Sequence, residues 1–457
     1  MLDALRERPQ LAFLRRVLGP LTAAMFAILA VALLLGRFPL PGGESFSYNS
    51  LARNMVIVAL VGHLIGADGL RFTRSPVGTA LLLYLAAAVL SIAANRGWWG
   101  DLRGFGAAVG VFYTARAFAG SPTGMRWVFH WLGIVAVGVV LREIVADPAI
   151  LAMHESAREN LVTDHPNTLG FLFALLTPLF LGRIEHPEDR RPAILYAAVS
   201  ILGVALTFSR SAWLGLTLAV IAVGFAARAR EGRPGPAPGV VLAGTAAALG
   251  MGLVVVWLSM GRGEADAQRL RIIETSFSLF REHPLFGIGF GSRNLGTLFP
   301  ARYIELFGQS LFLFHSHNFA VDALTGSGIP GALAAVWLLL RLVQLALRAW
   351  RRPGDLSRIE GVSLAASIGV FLMLCLVDMP FYHGRLMFLF VVAWAYVERR
   401  VDVAEQAPSS WSSGSGPDGG ADVASRSVAG RAARGAPSEV CPSPACFVPA
   451  AGKQPAE

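Results

Sequence analysis

Apolar runs long enough to cross a hydrocarbon core alternate along this chain with short polar segments. They fall at about 20–36, 51–66, 77–94, 104–119, 126–145, 167–184, 193–208, 211–228, 239–259, 329–347, 362–378 and 385–398. A helix of about 20 apolar residues spans a bilayer, so the pattern predicts an all-α fold, a polytopic transmembrane helical bundle of about twelve spans. One segment interrupts the rhythm. Between the ninth and tenth spans, residues 260–328 form a long loop that is itself helical, with Leu270, Ile273, Phe277 and Phe280 recurring at spacings of three and four. The expected organisation is a cytoplasmic N-terminus (1–19), spans one to nine (20–259), the external loop (260–328), spans ten to twelve (329–398) and a tail (399–457). That tail is rich in Ser, Gly, Pro, Ala and Arg and is expected to be disordered and cytoplasmic.

Arginine placement orients the bundle. With the N-terminus inside, Arg71 and Arg74, then Arg183, Arg190 and Arg191, then Arg228, Arg230 and Arg233, then Arg348, Arg351, Arg352 and Arg358 all fall in inside loops, as the positive-inside rule requires. The apolar run after Arg6, Arg8, Arg15 and Arg16 has no small-residue cleavage site behind it and reads as an uncleaved first helix. Composition agrees: 54% of the 457 residues are hydrophobic and only 15% charged, which excludes an ordinary soluble domain. The formal charge of +9 is spread over many loops and forms no single patch, so nucleic acid is not the expected partner. Of three cysteines, Cys375 lies in an apolar run and Cys441 and Cys446 in the tail, a pattern of neither disulfides nor zinc.

The most unusual polar stretch is His315-Ser316-His317-Asn318-Phe319-Ala320-Val321-Asp322, followed by Gly326, Gly328 and Pro330. Asn318 is suited to cap a short helix that runs to about Thr325, with Asp322 one turn on along the same face. The glycines then end it, and Pro330 opens the next helix. His317 is thereby expected at the mouth of a surface helix just outside the membrane. Arg210 lies in the tight turn Thr207-Phe208-Ser209-Arg210-Ser211 between two spans. It either snorkels to headgroups or holds an anion, because an unpaired arginine at that depth is costly.

The external loop carries Arg262, Arg269, Arg271, Arg281, Arg293 and Arg302. Most are expected to pair with Glu264, Asp266, Glu274, Glu282 and Glu305. Arg269, at a helix start where a guanidinium gains nothing from the helix dipole, is the candidate for an outside anion. Asn167, at the start of another span, either caps that helix or faces the same cavity. Gly287, Gly289 and Gly291 mark a tight turn, since no strand precedes them as a nucleotide loop would need. His283, His315, His317 and Asp322 lack a clear metal-ligand spacing, so no metal is expected.

Three motifs occur in order: Thr207-Phe208-Ser209-Arg210, then Arg269 ahead of His283-Pro284-Leu285-Phe286-Gly287-Ile288-Gly289, then His317-Asn318 leading to Gly328-Ile329-Pro330-Gly331. Together, over about Leu161 to Tyr396, they resemble the O-antigen ligase and O-antigen or exopolysaccharide polymerase family of bacterial inner-membrane proteins. The resemblance implies a metal-independent, inverting glycosyltransferase without a cofactor, multi-pass in the inner membrane, with its active site facing the periplasm. Its implied donor is an undecaprenyl-diphosphate-linked glycan, its acceptor a glycan or lipid-linked sugar hydroxyl. The residue matching the family's loop base is His317, and those matching its diphosphate-holding arginines are Arg210 and Arg269; His315, Asn318, Asp322 and Asn167 would support them. Residue chemistry is compatible, because imidazole titrates near neutrality and fixed cations stabilise charge on a departing diphosphate.

Two other activities use the same features. A polymerase of lipid-linked repeat units shares these residues and differs only in acceptor. A lipid-linked glycan transporter or flippase instead needs ionisable groups inside several spans, for which Arg116, Arg142 and Asp378 are the candidates. The clustering of unusual residues on the external side favours surface chemistry.

Overall fold

The computed structural model describes residues 9–35, 37–39, 45–47, 54, 56–57, 59, 75–152, 166–230, 263–311, 316–351, 354–377, 379 and 386–406. Met1–Pro408 forms one compact unit, and Ser409–Glu457 a second that lies outside the described residues. Of the tail expected to be disordered from 399 on, residues 399–406 instead belong to the last helix, and the rest lies outside the described residues.

The chain runs α1 (Pro9–Leu35), a two-stranded antiparallel pair of β1 (Arg37–Pro39) and β2 (Ser45–Ser47), α2 (Pro76–Asn95), α3 (Gly100–Phe118) and α4 (Pro122–Ala146). A short 3-10 turn (Pro148–Ala152) precedes α5 (Pro166–Gly182), α6 (Arg190–Thr207) and α7 (Arg210–Arg230). Then come α8 (Gly263–Glu282), α9 (Ser292–Phe307), α10 (Phe319–Arg351), α11 (Arg358–Val377) and α12 (Leu386–Gln406). The apolar runs expected to span coincide with helices, except those at 51–66 and 239–259, which lie largely or wholly outside the described residues. The strand pair was not expected from the sequence.

Among the described residues, six helices are long and apolar enough to cross a membrane: α2, α4, α6, α7, α10 and α11. The protein is a helical membrane protein; of the other expected spans, those at 51–66 and 239–259 lie largely or wholly outside the described residues. Apolar α5 has only 17 residues, whereas α3 and α12 carry charged residues such as Arg116, Glu398 and Arg400.

Burial sorts the helices into layers. In α5 the side chains from Asn167 to Phe180 are buried, and in α12 those from Leu386 to Glu398; a helix without a polar stripe is sheltered on all sides. Around them α2, α4 and α6 expose Leu82, Leu83, Ile134, Val145 and Leu195, as lipid-facing surfaces do. Pro76 and Pro122 open α2 and α4 behind serine caps, Ser75 accepting from Gly78 N–H and Ser121 from Gly124 N–H.

The last helix runs on to Gln406, past the expected boundary at 398. Its charged extension is held by ion pairs: Arg400 with Glu360 and Asp355, Glu398 and Asp402 with Arg116, and Arg348 with Asp402 and Glu405.

Candidate functional site

Asn318 is the hinge of the site. Its Oδ1 accepts hydrogen bonds from the backbone N–H groups of Ala320 (3.0 Å) and Val321 (3.1 Å), so it caps α10 as the sequence suggested. Its Nδ2 donates to the Leu376 carbonyl at 3.1 Å, which clips the mouth of α10 to the last turn of α11. One turn further, buried Asp322 accepts the Ser316 N–H on Oδ1 at 2.8 Å. His317 stands between these two anchored neighbours, half-buried, at φ +54°. Non-glycine residues avoid that region unless their surroundings over-determine it, and such positions cluster at functional sites. His315 lies outside the described residues.

The break after the short helix also has a physical account. Gly328 takes φ 65° and ψ −159°, a conformation closed to residues with a Cβ, and Pro330 starts the longer second segment of α10. Carbonyls at the end of a helix need other partners. Here the Thr325 carbonyl accepts from Ile288 N–H (2.9 Å) and that of Gly326 from Gly289 N–H (3.1 Å) and Ser91 Oγ (2.6 Å). Ile329 N–H, beyond the break, donates to the Pro284 carbonyl at 3.0 Å. The turn through Gly287, Gly289 and Gly291, all at positive φ, is thus a backbone brace for α10. Ser91 and Asn95 of α2 complete it, Asn95 Nδ2 donating to the Gly287 carbonyl. These two residues went unnoticed in the sequence, although their i, i+4 spacing at the end of an apolar helix was a signal.

The start of α7 is built by close packing. Gly170 of α5 lies against Thr207, Ser209 and Ala212, where a Cβ would come within 2.6 Å of Thr207 Oγ1. Ser209 Oγ donates to Asn167 Oδ1 at 3.1 Å. Asn167 is therefore a buried cross-link between α5 and α7 and lies inside α5, not at its cap. Arg210, half-buried, opens α7, which has no acidic residue in its first turn. Among the described residues it makes no hydrogen bond or ion pair, beside a helix N-terminus that itself favours an anion.

Of the loop arginines, Arg302 pairs with Glu282 and Glu305, Arg271 bonds Gln309 and lies over Phe307, and Arg293 lies over Trp98. Arg269 and Arg281 are exposed and, among the described residues, make neither a hydrogen bond nor an ion pair; Arg262 lies outside them. The spacing of Leu270, Ile273, Phe277 and Phe280 marked a helix, which is present as α8, but it does not mark the buried face. That face is formed by Ile272, Thr275, Ser276 and Leu279, while Leu270 and Phe277 are exposed. Small polar residues let α8 approach α10, where Thr325 Oγ1 donates to the Ser276 carbonyl at 3.2 Å, and Ile272 and Leu279 pack on α9.

Helices α5, α7 and α11 share one end. Gly215 of α7 faces Phe171 of α5 and Val370 of α11, so Asn167, Arg210 and Leu376 all lie toward the same end of this trio, with Asn318 bonded to Leu376. Arg269 stands seven residues before Ser276 on α8, about 10 Å along the helix axis, as Asn318 stands seven before Thr325. Among the described residues no hydrogen bond or ion pair joins Arg210, Arg269 and His317 to one another. Nor does any group of three His, Cys, Asp or Glu among them stand close enough to hold a metal.

The opposite end is a separate charged region. A cavity of about 530 Å³ is lined there by Arg126, Arg183, His186, Asp355 and Arg400 among others. Each arginine already has a carboxylate: Arg126 and Arg183 share Asp189, and Arg400 holds Glu360 and Asp355. Burial alone would push the Asp189 carboxyl up, but the hydrogen bond and charge of Arg183, with the charge of Arg126, hold it below the ordinary aspartate range. Among the described residues that line the cavity, every arginine is matched by a carboxylate. Arg116, buried against Glu398 and Asp402, belongs to the same charged region.

Residues 195–336 match the family model described as O-antigen ligase. That stretch contains Arg210, Arg269, His317, Asn318 and Asp322, and excludes Asn167. A comparison with curated proteins gives no match.

Proposed function

We propose, from the match of residues 195–336 to the O-antigen ligase family model, that the chain is a member of that family and an inverting, metal-independent membrane glycosyltransferase of about twelve spans. Its donor is a glycan on undecaprenyl diphosphate and its acceptor a sugar hydroxyl, both met at the periplasmic face. His317 takes the hydroxyl proton; the freed oxygen attacks the anomeric carbon of the donor; the bond from that carbon to the diphosphate oxygen breaks, and undecaprenyl diphosphate leaves. Arg210 and Arg269 hold the diphosphate and balance its growing charge, which guanidinium does through paired donors. The leaving group is already good and needs neutralisation more than a proton. Asn318 and Asp322 fix the backbone on either side of His317, and Asn167 steadies the turn that carries Arg210.

The observation that carries this reading is the state of Arg210: half-buried and unpaired among the described residues, at a helix N-terminus, on the end of the α5–α7–α11 trio to which Asn318 is tied. A transporter is less well supported, because Arg116, one of its candidate path residues, is consumed in ion pairs with Glu398 and Asp402. The deciding experiment is the glycan phenotype of a strain lacking the protein. Finished polymer left on its lipid carrier supports a ligase; single repeat units support a polymerase. Unchanged surface glycan contradicts both.

A further inference from the structure

The turn Pro284-Leu285-Phe286-Gly287 is braced with unusual thoroughness and yet presents its largest side chains outward. Gly287 N–H returns to the His283 carbonyl at 2.9 Å, the Pro284 carbonyl takes Ile329 N–H, and the Gly287 carbonyl takes Asn95 Nδ2. The Leu285 carbonyl is pressed so close to Gly328 that a Cβ there would come within 2.4 Å of it. In this rigid frame Leu285 is 64% and Phe286 41% exposed. A solvated loop gains nothing by holding two large apolar side chains in water, and such a tip marks a contact surface.

What covers it follows from its neighbours. Leu285 adjoins Ile329, the first residue beyond the kink of α10, through the Pro284–Ile329 hydrogen bond and the Gly328 approach. From Ile329 an exposed apolar stripe continues down α10 through Leu333, Val336, Trp337 and Leu340, on a helix long and apolar enough to cross a membrane. The tip therefore prolongs a lipid-facing surface past the end of its helix. One turn earlier Arg281 is exposed and unpaired among the described residues, placed as cations are when they reach lipid phosphates beside a buried apolar wedge.

We infer that Leu285 and Phe286 form a wedge inserted into the same bilayer leaflet that meets the start of the second α10 segment, with Arg281 at its phosphates. The bilayer itself is the partner. The wedge holds the 283–291 brace, and with it the short helix behind Asn318, at headgroup depth. This inference rests on α10 crossing the membrane and is independent of the transfer chemistry.

The test uses full-length protein in phosphatidylcholine and phosphatidylglycerol vesicles. Leu285→Cys and Phe286→Cys, in a background with Cys375, Cys441 and Cys446 changed to serine, carry a nitroxide whose relaxation is read with oxygen and with a water-soluble nickel chelate. Oxygen is expected to dominate by several-fold at both sites and the nickel chelate at Glu274→Cys, an exposed polar position on α8. Dominance of the nickel chelate at 285 and 286 overturns the inference, and exclusion of both reagents overturns it in favour of a protein partner. Unsubstituted protein supplies a second readout: a phosphatidylcholine with a diazirine in its acyl chain should crosslink to residues 283–288. Crosslinking to the Leu333 region alone also overturns the wedge.

Discussion

Gly328→Ala tests whether the kink in α10 is as constrained as the geometry implies. Alanine would have to adopt φ 65° with ψ −159°, a region essentially reserved for glycine that costs about 1–3 kcal/mol. Its Cβ would also meet the Leu285 carbonyl oxygen at 2.4 Å and the Gly287 nitrogen at 2.7 Å. Both are backbone atoms in a braced turn and cannot swing aside as a side-chain tip would. Relieving such overpacking costs about another 1–3 kcal/mol, so the whole effect is about 2–6 kcal/mol. Gly104→Ala is the internal control, because it lies within α3 with nothing within 4 Å of the added Cβ and alanine is the better helix former. The assay is the temperature at which half of the detergent-purified protein leaves the monodisperse peak. Gly328→Ala should fall several degrees below the parent protein, while Gly104→Ala should match or exceed it. A Gly328→Ala protein as heat-resistant as the parent would refute the argument that this backbone is locked.

Asp322→Ala removes the buried acceptor of Ser316 N–H and should cost about 1–3 kcal/mol; Asp322→Asn keeps an acceptor and should retain most stability and transfer, a split read by heat challenge and glycan transfer together. Arg210→Lys keeps the charge but loses the two-pronged donor, so transfer should fall at least tenfold with normal protein level; full activity would leave Arg210 only a generic electrostatic role. The depressed Asp189 carboxyl contributes stability that is fully present above the unfolded aspartate value, about 3.9, and is lost as pH falls through the lower folded value. Asp189→Asn should flatten that acid dependence in pH-dependent unfolding and destabilise the protein at neutral pH by about 3 kcal/mol, since Arg126 loses its carboxylate and, among the described residues, Arg183 keeps only that of Glu360, at 3.5 Å; an unaltered acid limb would contradict it.

How much of this was legible in the sequence depended on how local the cause was. The cap at Asn318, the break at Gly328 and the role of Pro330 are decided within a few residues of backbone chemistry, and the structure has them as the sequence implied. The run of glycines at 287–291 was legible as a turn, but its purpose, accepting the broken end of α10, needed a partner some 40 residues away. Helix α8 was legible in its apolar spacing but its buried face was not, because hydropathy points to Leu270 and Phe277, whereas tertiary packing selects the small Thr275 and Ser276 for close approach to Thr325. Least legible was the charged end: Arg116 pairs with Glu398, 282 residues along the chain, and nothing in the local pattern announces it. Asn167 sat between these cases, visible as a polar group at a helix start but identifiable as the partner of Ser209 only in three dimensions.

The central claim is that His317 is the base of a transfer reaction from a diphosphate-linked glycan. The most direct measurement is transfer by purified His317→Ala protein, supplied with lipid-diphosphate-linked glycan and acceptor, beside the parent protein at equal amount and equal heat resistance. Loss of transfer by two orders of magnitude or more, with donor binding retained through Arg210 and Arg269, is the predicted result. Transfer at the parent rate by a folded His317→Ala protein would contradict the account.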